Sequence, residues 1–72
     1  MLHPPTFLIM EKYIMTTHEQ ITELYATYLV EQEAFEVKGV KAAATRARKA
    51  LGEIAKLSKT RRAEIQDRKN SL

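Results

Sequence analysis

Apolar residues recur at helical spacing in two stretches of the chain, and a glycine separates the two stretches. In the first, Ile21, Leu24, Tyr28 and Phe35 follow one another at steps of three, four and seven residues. Such steps place side chains on one face of an α-helix. The pattern therefore predicts an amphipathic helix that begins at about Thr17.

Local signals predict both ends of this first helix. Either threonine of residues 16–17 can cap its start, and Glu19 and Gln20 lie where a capping-box partner is expected. Lys38 and Gly39 indicate its end, because glycine readily adopts the left-handed conformation that closes a helix and a cation suits the C-terminal dipole. A tight turn at Gly39 should then reverse the chain.

The second stretch predicts a longer helix, from about Val40 to about Lys69, with two chemically different faces. One face is apolar and rich in alanine, and it comprises Val40, Ala43, Ala47, Ala50, Leu51, Ile54, Leu57 and Ile65. The opposite face is basic, and it comprises Lys38, Lys41, Arg48, Lys49, Lys56 and Lys59, with Arg62 at its border. Two helices and one turn predict an all-α fold, a two-helix antiparallel hairpin.

The small size of this hairpin predicts a partner. A single core in so short a chain is marginal, and two such hairpins would bury their apolar faces as a helical bundle. We therefore expect a homodimer. We assign residues 17–70 to the hairpin and residues 1–16 to an N-terminal extension outside it, since Pro4 and Pro5 disfavour a helix start before them.

The distribution of charge along the chain is more informative about function than the overall composition. The net charge of +3 combines −5 over residues 1–37 with +8 over residues 38–72, and a basic half usually meets a polyanion or an acidic partner. The absence of cysteine excludes disulfides and thiolate zinc sites, and no glycine-rich phosphate loop is present. We expect no enzymatic activity, no cofactor, no metal, no small-molecule substrate and no membrane association.

A row of cations on a rigid helix suits the phosphates of a duplex, which gives affinity without base readout. The candidate DNA-binding residues are Lys38, Lys41, Thr45, Arg46, Arg48, Lys49, Lys56, Lys59 and Arg62. Arg46 has a structural alternative, an ion pair with Glu33 or Glu36 across the turn. Arg46, Arg61 and Arg68 lie nearer the apolar face, where we expect them to pair with glutamates of the first helix.

The same residues resemble a known family. Residues 38–49 read KGVKAAATRARK, residues 54–57 read IAKL and residues 61–70 read RRAEIQDRKN. This run is similar to the core of the bacterial linker-histone-like proteins first recognised in chlamydiae, and the similarity extends over about residues 17–70. The resemblance implies a nucleoid-associated protein of the bacterial cytoplasm that compacts double-stranded DNA with little sequence preference and self-associates.

Three departures from that family affect the expectation. Val40 stands where family members commonly carry Asn, and Ala44 stands where many short members carry Gly. The long Lys/Ala/Pro-rich tail of the chlamydial proteins is absent from these 72 residues. We therefore expect the helical core itself to carry DNA binding, with weaker and more salt-sensitive affinity.

Two other functions remain open from the residues alone. The hairpin could be an adaptor or antitoxin-like interaction module whose basic face binds an acidic protein. Its polyanion could also be RNA, since a helical row of cations does not distinguish the two nucleic acids well.

Overall fold

The computed structural model describes residues 15–72, in which two α-helices form an antiparallel hairpin. Helix α1 spans Thr17–Lys38 and helix α2 spans Lys41–Ser71. Thr17, at the start of α1, hydrogen-bonds to Glu64, near the end of α2, so the helices run in opposite directions. Residues 15–72 contain no strand. The predicted all-α hairpin is confirmed, whereas dimerisation stays a prediction, and the expectations for residues 1–14 lie outside the described residues.

Helix α1 has strong signals at both ends. The Thr16 hydroxyl accepts a hydrogen bond from the Glu19 N–H at 3.1 Å, and the Glu19 carboxylate accepts one from the Thr16 N–H at 2.9 Å. This reciprocal pair is a capping box, and it confirms the predicted start. At the other end Gly39 has a φ of 72°, in the left-handed region, and its N–H donates to the Phe35 carbonyl at 3.0 Å.

The two helices meet along a seam of small and half-buried side chains. Only Ala43, Ala47 and Ala50 are buried in α2, and the half-buried Ile54 and Leu57 continue the alternating steps of four and three residues. Such steps keep one line of side chains facing a neighbouring helix. The α1 side of the seam consists of Thr17, Ile21, Leu24, Tyr28 and Glu31, all half-buried. No side chain larger than alanine is buried within residues 15–72.

Four residues assigned to the inner faces are more exposed than expected. Phe35, Val40, Leu51 and Ile65 keep between 40% and 51% of their surface exposed. Phe35 and Val40 lie at the turn, where little chain is available to cover them. Leu51 follows the seam position Ala50 by one residue, and Ile65 lies beyond the level at which α1 begins. Assignment to an inner face was wrong for these residues because neighbouring chain is absent there.

Candidate nucleic-acid interface

The two helices carry opposite net charges. Helix α1 contains five glutamates and one lysine, a net charge of −4, whereas α2 contains ten Lys and Arg residues and three acids, a net charge of +7. Because the seam joins these helices along their length, the hairpin has an acidic edge and a basic edge. Any polyanion is therefore directed to α2.

The side of α2 opposite the seam is basic and exposed. We call it the outer face, and it consists of Lys41, Thr45, Arg48 and Lys59, all exposed. At 1.5 Å per residue, Lys41 and Lys59 are about 27 Å apart along the axis. None of the three acids of α2 shares this face, since Glu53 and Glu64 lie near the seam and Asp67 lies at an edge. The outer face therefore carries cations and no acid, with Gly52 and Ala55 between Arg48 and Lys59.

The start of α2 adds to this positive potential. Val40 is its N-cap residue, and no side chain caps the helix there. The first turn also contains no acid, so the positive end of the helix dipole is not neutralised. This feature was missed, although a valine at a cap position signals it because its side chain cannot accept a hydrogen bond.

Three further candidates lie at the edges of the outer face. Lys49 and Lys56 line an open groove between the helices, together with Glu23 and Glu53. Arg62 is exposed at the opposite edge. Helical spacing predicted that all three side chains belong to the basic face. In the structure, Lys49 and Lys56 have carboxylates nearby. Their attraction for a phosphate is therefore weaker than that of the outer face.

The two remaining candidates lie apart from the outer face. The Arg46 Nε atom is 3.0 Å from Glu31 Oε1, and the Glu31 side chain is only 19% exposed. The expected ion pair is present, but Glu33 and Glu36 were the wrong partners. Glu31 belongs to the seam, whereas Glu33 and Glu36 point away from α2. Lys38 lies in the last turn of α1.

The other inward arginines do not pair with α1. Arg61 forms an ion pair at 3.2 Å with Glu64 on its own helix, and Arg68 has no ion pair within residues 15–72. The expectation of glutamate partners on α1 was therefore wrong for both. Arg68 lies beyond the level at which α1 begins, opposite Glu64. Glu19 is the α1 glutamate closest in level to Arg61, but its carboxylate is engaged in the capping box.

Glu64 joins the two helices at the open end of the hairpin. The Thr17 hydroxyl donates a hydrogen bond to Glu64 Oε2 at 2.7 Å, while Arg61 contacts the other oxygen. The Thr17 hydrogen bond and the nearby Arg61 lower the pKa of Glu64 below its usual value, against a smaller opposing effect of desolvation. The sequence did not predict this contact, because neither Thr17 nor Glu64 indicates the axial register of the two helices.

Aromatic residues take no part in the outer face. Tyr25 and Tyr28 stack on each other, with ring centroids 6.1 Å apart, and both belong to α1. Both were predicted to pack in the core; Tyr28 is half-buried, whereas Tyr25 remains 53% exposed, so packing is found for Tyr28 only. Within residues 15–72 no cluster of metal-ligating side chains occurs, and neither helix is apolar enough over a sufficient length to cross a membrane.

Comparison with known proteins identifies the family. Neither the curated proteins nor the solved structures include a significant match to the chain. A family model described as Histone H1-like protein Hc1 does match, and it covers residues 15–71, both helices and the turn between them. The predicted resemblance is thus confirmed over nearly the whole described structure. This chain belongs to the histone H1-like Hc1 family.

Proposed function

We propose that this protein binds double-stranded DNA without sequence preference and compacts it as a nucleoid-associated, homodimeric protein. The observation that carries the proposal is the row of exposed cations, with no acid among them, on the outer face of α2. Membership of a histone H1-like family supports the choice of DNA as the polyanion. The role is structural, and no catalytic step is proposed.

The chemistry of the proposed interface is phosphate neutralisation. Lys41, Arg48 and Lys59 are the primary contacts, since no carboxylate shares their face, and the Thr45 hydroxyl can donate to a phosphate oxygen. The secondary contacts are Lys38, Lys49, Lys56 and Arg62, with Arg46 limited by its ion pair to Glu31. The face is about 27 Å long, comparable to one turn of B-DNA, about 34 Å, so the straight helix can contact phosphates at separate places along the duplex.

Absence of base readout follows from the same side chains. Direct readout uses planar hydrogen-bonding groups held against base edges. The amide groups of Gln66 and Asn70, near the end of α2, hydrogen-bond to each other at 3.1 Å. The outer face offers cations and one hydroxyl, which recognise phosphate in any sequence.

A salt titration tests the proposal directly. Fluorescence anisotropy with several duplexes of unrelated sequence should give similar affinities, because phosphates are common to all of them. With four to six phosphate contacts, the logarithm of the affinity should fall with the logarithm of the salt concentration with a slope of about −4 to −5. Binding that ignores salt, or that favours one sequence strongly, would contradict the proposal.

A pair of variants separates the outer face from net charge. The triple variant K41Q/R48Q/K59Q removes three cations from the outer face, and T22E/A26E/V30E adds three acids at exposed positions of α1. Both lower the net charge by three. We expect the first to weaken binding at 50 mM salt by more than about 100-fold and to reduce the slope by about 2.7, because three contacts are lost. The second should change affinity far less, and equal losses would show that the outer face has no special role.

The protein-interaction alternative makes a different prediction in a pull-down. If the basic face binds an acidic protein, the captured partner should remain after nuclease treatment, and binding to random duplexes should be weak. If DNA is the ligand, nuclease treatment should release the captured material. Competition between duplex DNA and duplex RNA in the anisotropy assay decides which nucleic acid is preferred.

A further inference from the structure

The exposed cations near the middle of α2 form two groups, separated by a stretch without cations. The first group consists of Lys41, Arg48 and Lys49, and the second group consists of Lys56, Lys59 and Arg62, all exposed. Arg46 and Arg61 belong to neither group, since each already forms an ion pair with a glutamate. Residues 50–55 read ALGEIA and contain no cation. The positive charge available to a ligand is therefore concentrated at two places along the helix.

The outer face between the two groups has only short side chains. It continues there as Gly52 and Ala55, both exposed. Gly52 has no packing role within the hairpin, because no atom lies within 4 Å of an added Cβ, and a glycine in mid-helix is less stable than an alanine. Short side chains at these two positions let another molecule approach the helix closely between the groups.

The length of this gap can be compared with the grooves of a duplex. At 1.5 Å per residue, the gap is about 10.5 Å from Lys49 to Lys56 and about 16.5 Å from Arg48 to Lys59. The major groove of B-DNA is about 12 Å wide, and the minor groove is about 6 Å wide. The two groups are therefore separated by a distance that suits the major groove and exceeds the minor groove.

The straightness of α2 favours contact with both strands of one duplex. Each strand of B-DNA winds once around the duplex axis in about 34 Å, whereas the outer face is a straight line of about 27 Å. A straight line of this length leaves one strand and meets the other across a groove. Helix α1 does not obstruct this approach, because the seam lies on the opposite side of α2.

We propose that α2 lies across the major groove of a B-form duplex. The first group contacts phosphates of one strand, the second group contacts phosphates of the other strand, and Gly52 and Ala55 lie over the groove between them. No base is read in this position, because neither residue over the groove has a side chain that forms hydrogen bonds. This inference rests on the proposed DNA binding and adds the part of the duplex to which the protein binds.

A duplex with one uncharged strand tests whether both strands are contacted. In this probe one strand carries neutral methylphosphonate linkages, and the other strand carries ordinary phosphates. Because only one group can then contact phosphates, the protein should show about half of the salt slope that it shows on the ordinary duplex. An unchanged slope would mean that all contacts lie on a single strand, and it would overturn the proposal.

Removal of one group sharpens this test. The variant K56Q/K59Q/R62Q lacks the second group and should bind the ordinary duplex more than about tenfold more weakly, because three contacts are lost. On the duplex with one uncharged strand, the same variant should lose only about twofold, because the unaltered protein also uses a single group there.

The counterpart K41Q/R48Q/K49Q lacks the first group and is the matched control. It should respond in the same way on both duplexes, since the two groups have equivalent roles. The six replaced side chains are exposed, so circular dichroism should show both variants folded. Equal fold losses on the ordinary and the half-neutral duplex would contradict the arrangement of one group on each strand.

Bulky groups in the major groove test which groove is crossed. Two duplexes of one sequence are compared, one with cytosine and one with glucosylated 5-hydroxymethylcytosine, whose sugar occupies the major groove and leaves the phosphates unchanged. Affinity for the glucosylated duplex should be lower by more than about tenfold, because α2 can no longer contact both strands at once. Equal affinities would overturn the assignment to the major groove.

The assays distinguish the failure of this inference from the failure of the proposed function. If the protein binds ordinary duplexes but the half-neutral and glucosylated duplexes give the contrary results, the position across the major groove is wrong and the proposed DNA binding stands. If the protein binds no ordinary duplex, the proposed function itself is wrong.

Discussion

Helices α1 and α2 differ in how each is held and in what each presents. Helix α1 begins with a complete capping box and carries a net charge of −4, whereas α2 begins without a side-chain cap and carries +7. The three residues that are buried within residues 15–72 all belong to α2, yet its opposite side is a fully exposed basic surface. Helix α1 therefore stabilises α2 by packing against it, whereas α2 presents the basic surface. Stability and DNA binding should therefore be separable by mutation.

The largest effect on stability is expected at the seam. Replacing the fully buried Ala43 with Leu forces the helices apart and should lower the free energy of unfolding by about 1–3 kcal/mol. Ala42→Leu is the matched control, since its side chain is exposed and should be nearly neutral. Urea unfolding followed by circular dichroism measures both. Equal effects of the two variants would mean that α1 does not pack closely on α2.

The two glycines should respond in opposite directions. Gly39→Ala places a Cβ in a left-handed residue and should cost about 1–2 kcal/mol. Gly52 lies in mid-helix with no atom within 4 Å of an added Cβ, so Gly52→Ala should raise stability by about 0.8–1 kcal/mol. Thermal melts compare them. A destabilising Gly52→Ala would show that a neighbour, such as a second copy, contacts this position.

The capping difference between the helices can be reversed. Thr16→Ala removes the capping box of α1 and should cost about 1 kcal/mol. Val40→Asn supplies the missing cap of α2 and should add about 0.5–1 kcal/mol. Val37→Asn, exposed near the same turn but not at a cap position, is the control. DNA affinity should stay within twofold for Thr16→Ala and Val37→Asn, because both positions lie outside the basic helix.

The smallest expected effect is a pH dependence at the open end of the hairpin. The Thr17 hydrogen bond and Arg61 lower the pKa of Glu64 in the folded state, so its contribution to stability is present above about pH 4.3, the ordinary glutamate value, and is lost as the pH falls through the lowered pKa. Glu64→Gln should flatten this part of the stability profile. Glu33→Gln removes a carboxylate that points away from α2, and it should leave the profile unchanged.

The fold was readable from the sequence because its signals are local. The threonine cap, the left-handed glycine and the alanines at steps of three and four residues each depend on near neighbours. The glycine and the alanines were predicted at the correct positions, and the cap was predicted as one of two adjacent threonines. The resemblance over residues 38–49 similarly predicted the family. None of these features depends on the axial register of the two helices.

The parts of the structure that could not be predicted depend on the axial register of the two helices. Spacing placed Arg46 near the glutamates of α1 but favoured Glu33 or Glu36 over the actual partner, Glu31, because the choice requires the register across the turn. It also placed Leu51 and Ile65 inside, since a single helix considered alone has only an inside and an outside. The groove lined by Glu23, Lys49 and Glu53 likewise exists only when both helices are present.

A seam built from three alanines has a consequence for the lifetime of the protein. Because so little apolar surface is buried, the free energy of unfolding of the hairpin is small. Any ligand that binds only the folded chain raises this free energy, by about 2.7 kcal/mol at a ligand concentration one hundred times the dissociation constant. Chains on DNA are then protected, while free chains open more often and meet proteases in that state. We expect the amount of this protein to follow the amount of DNA available to it, because surplus copies are degraded.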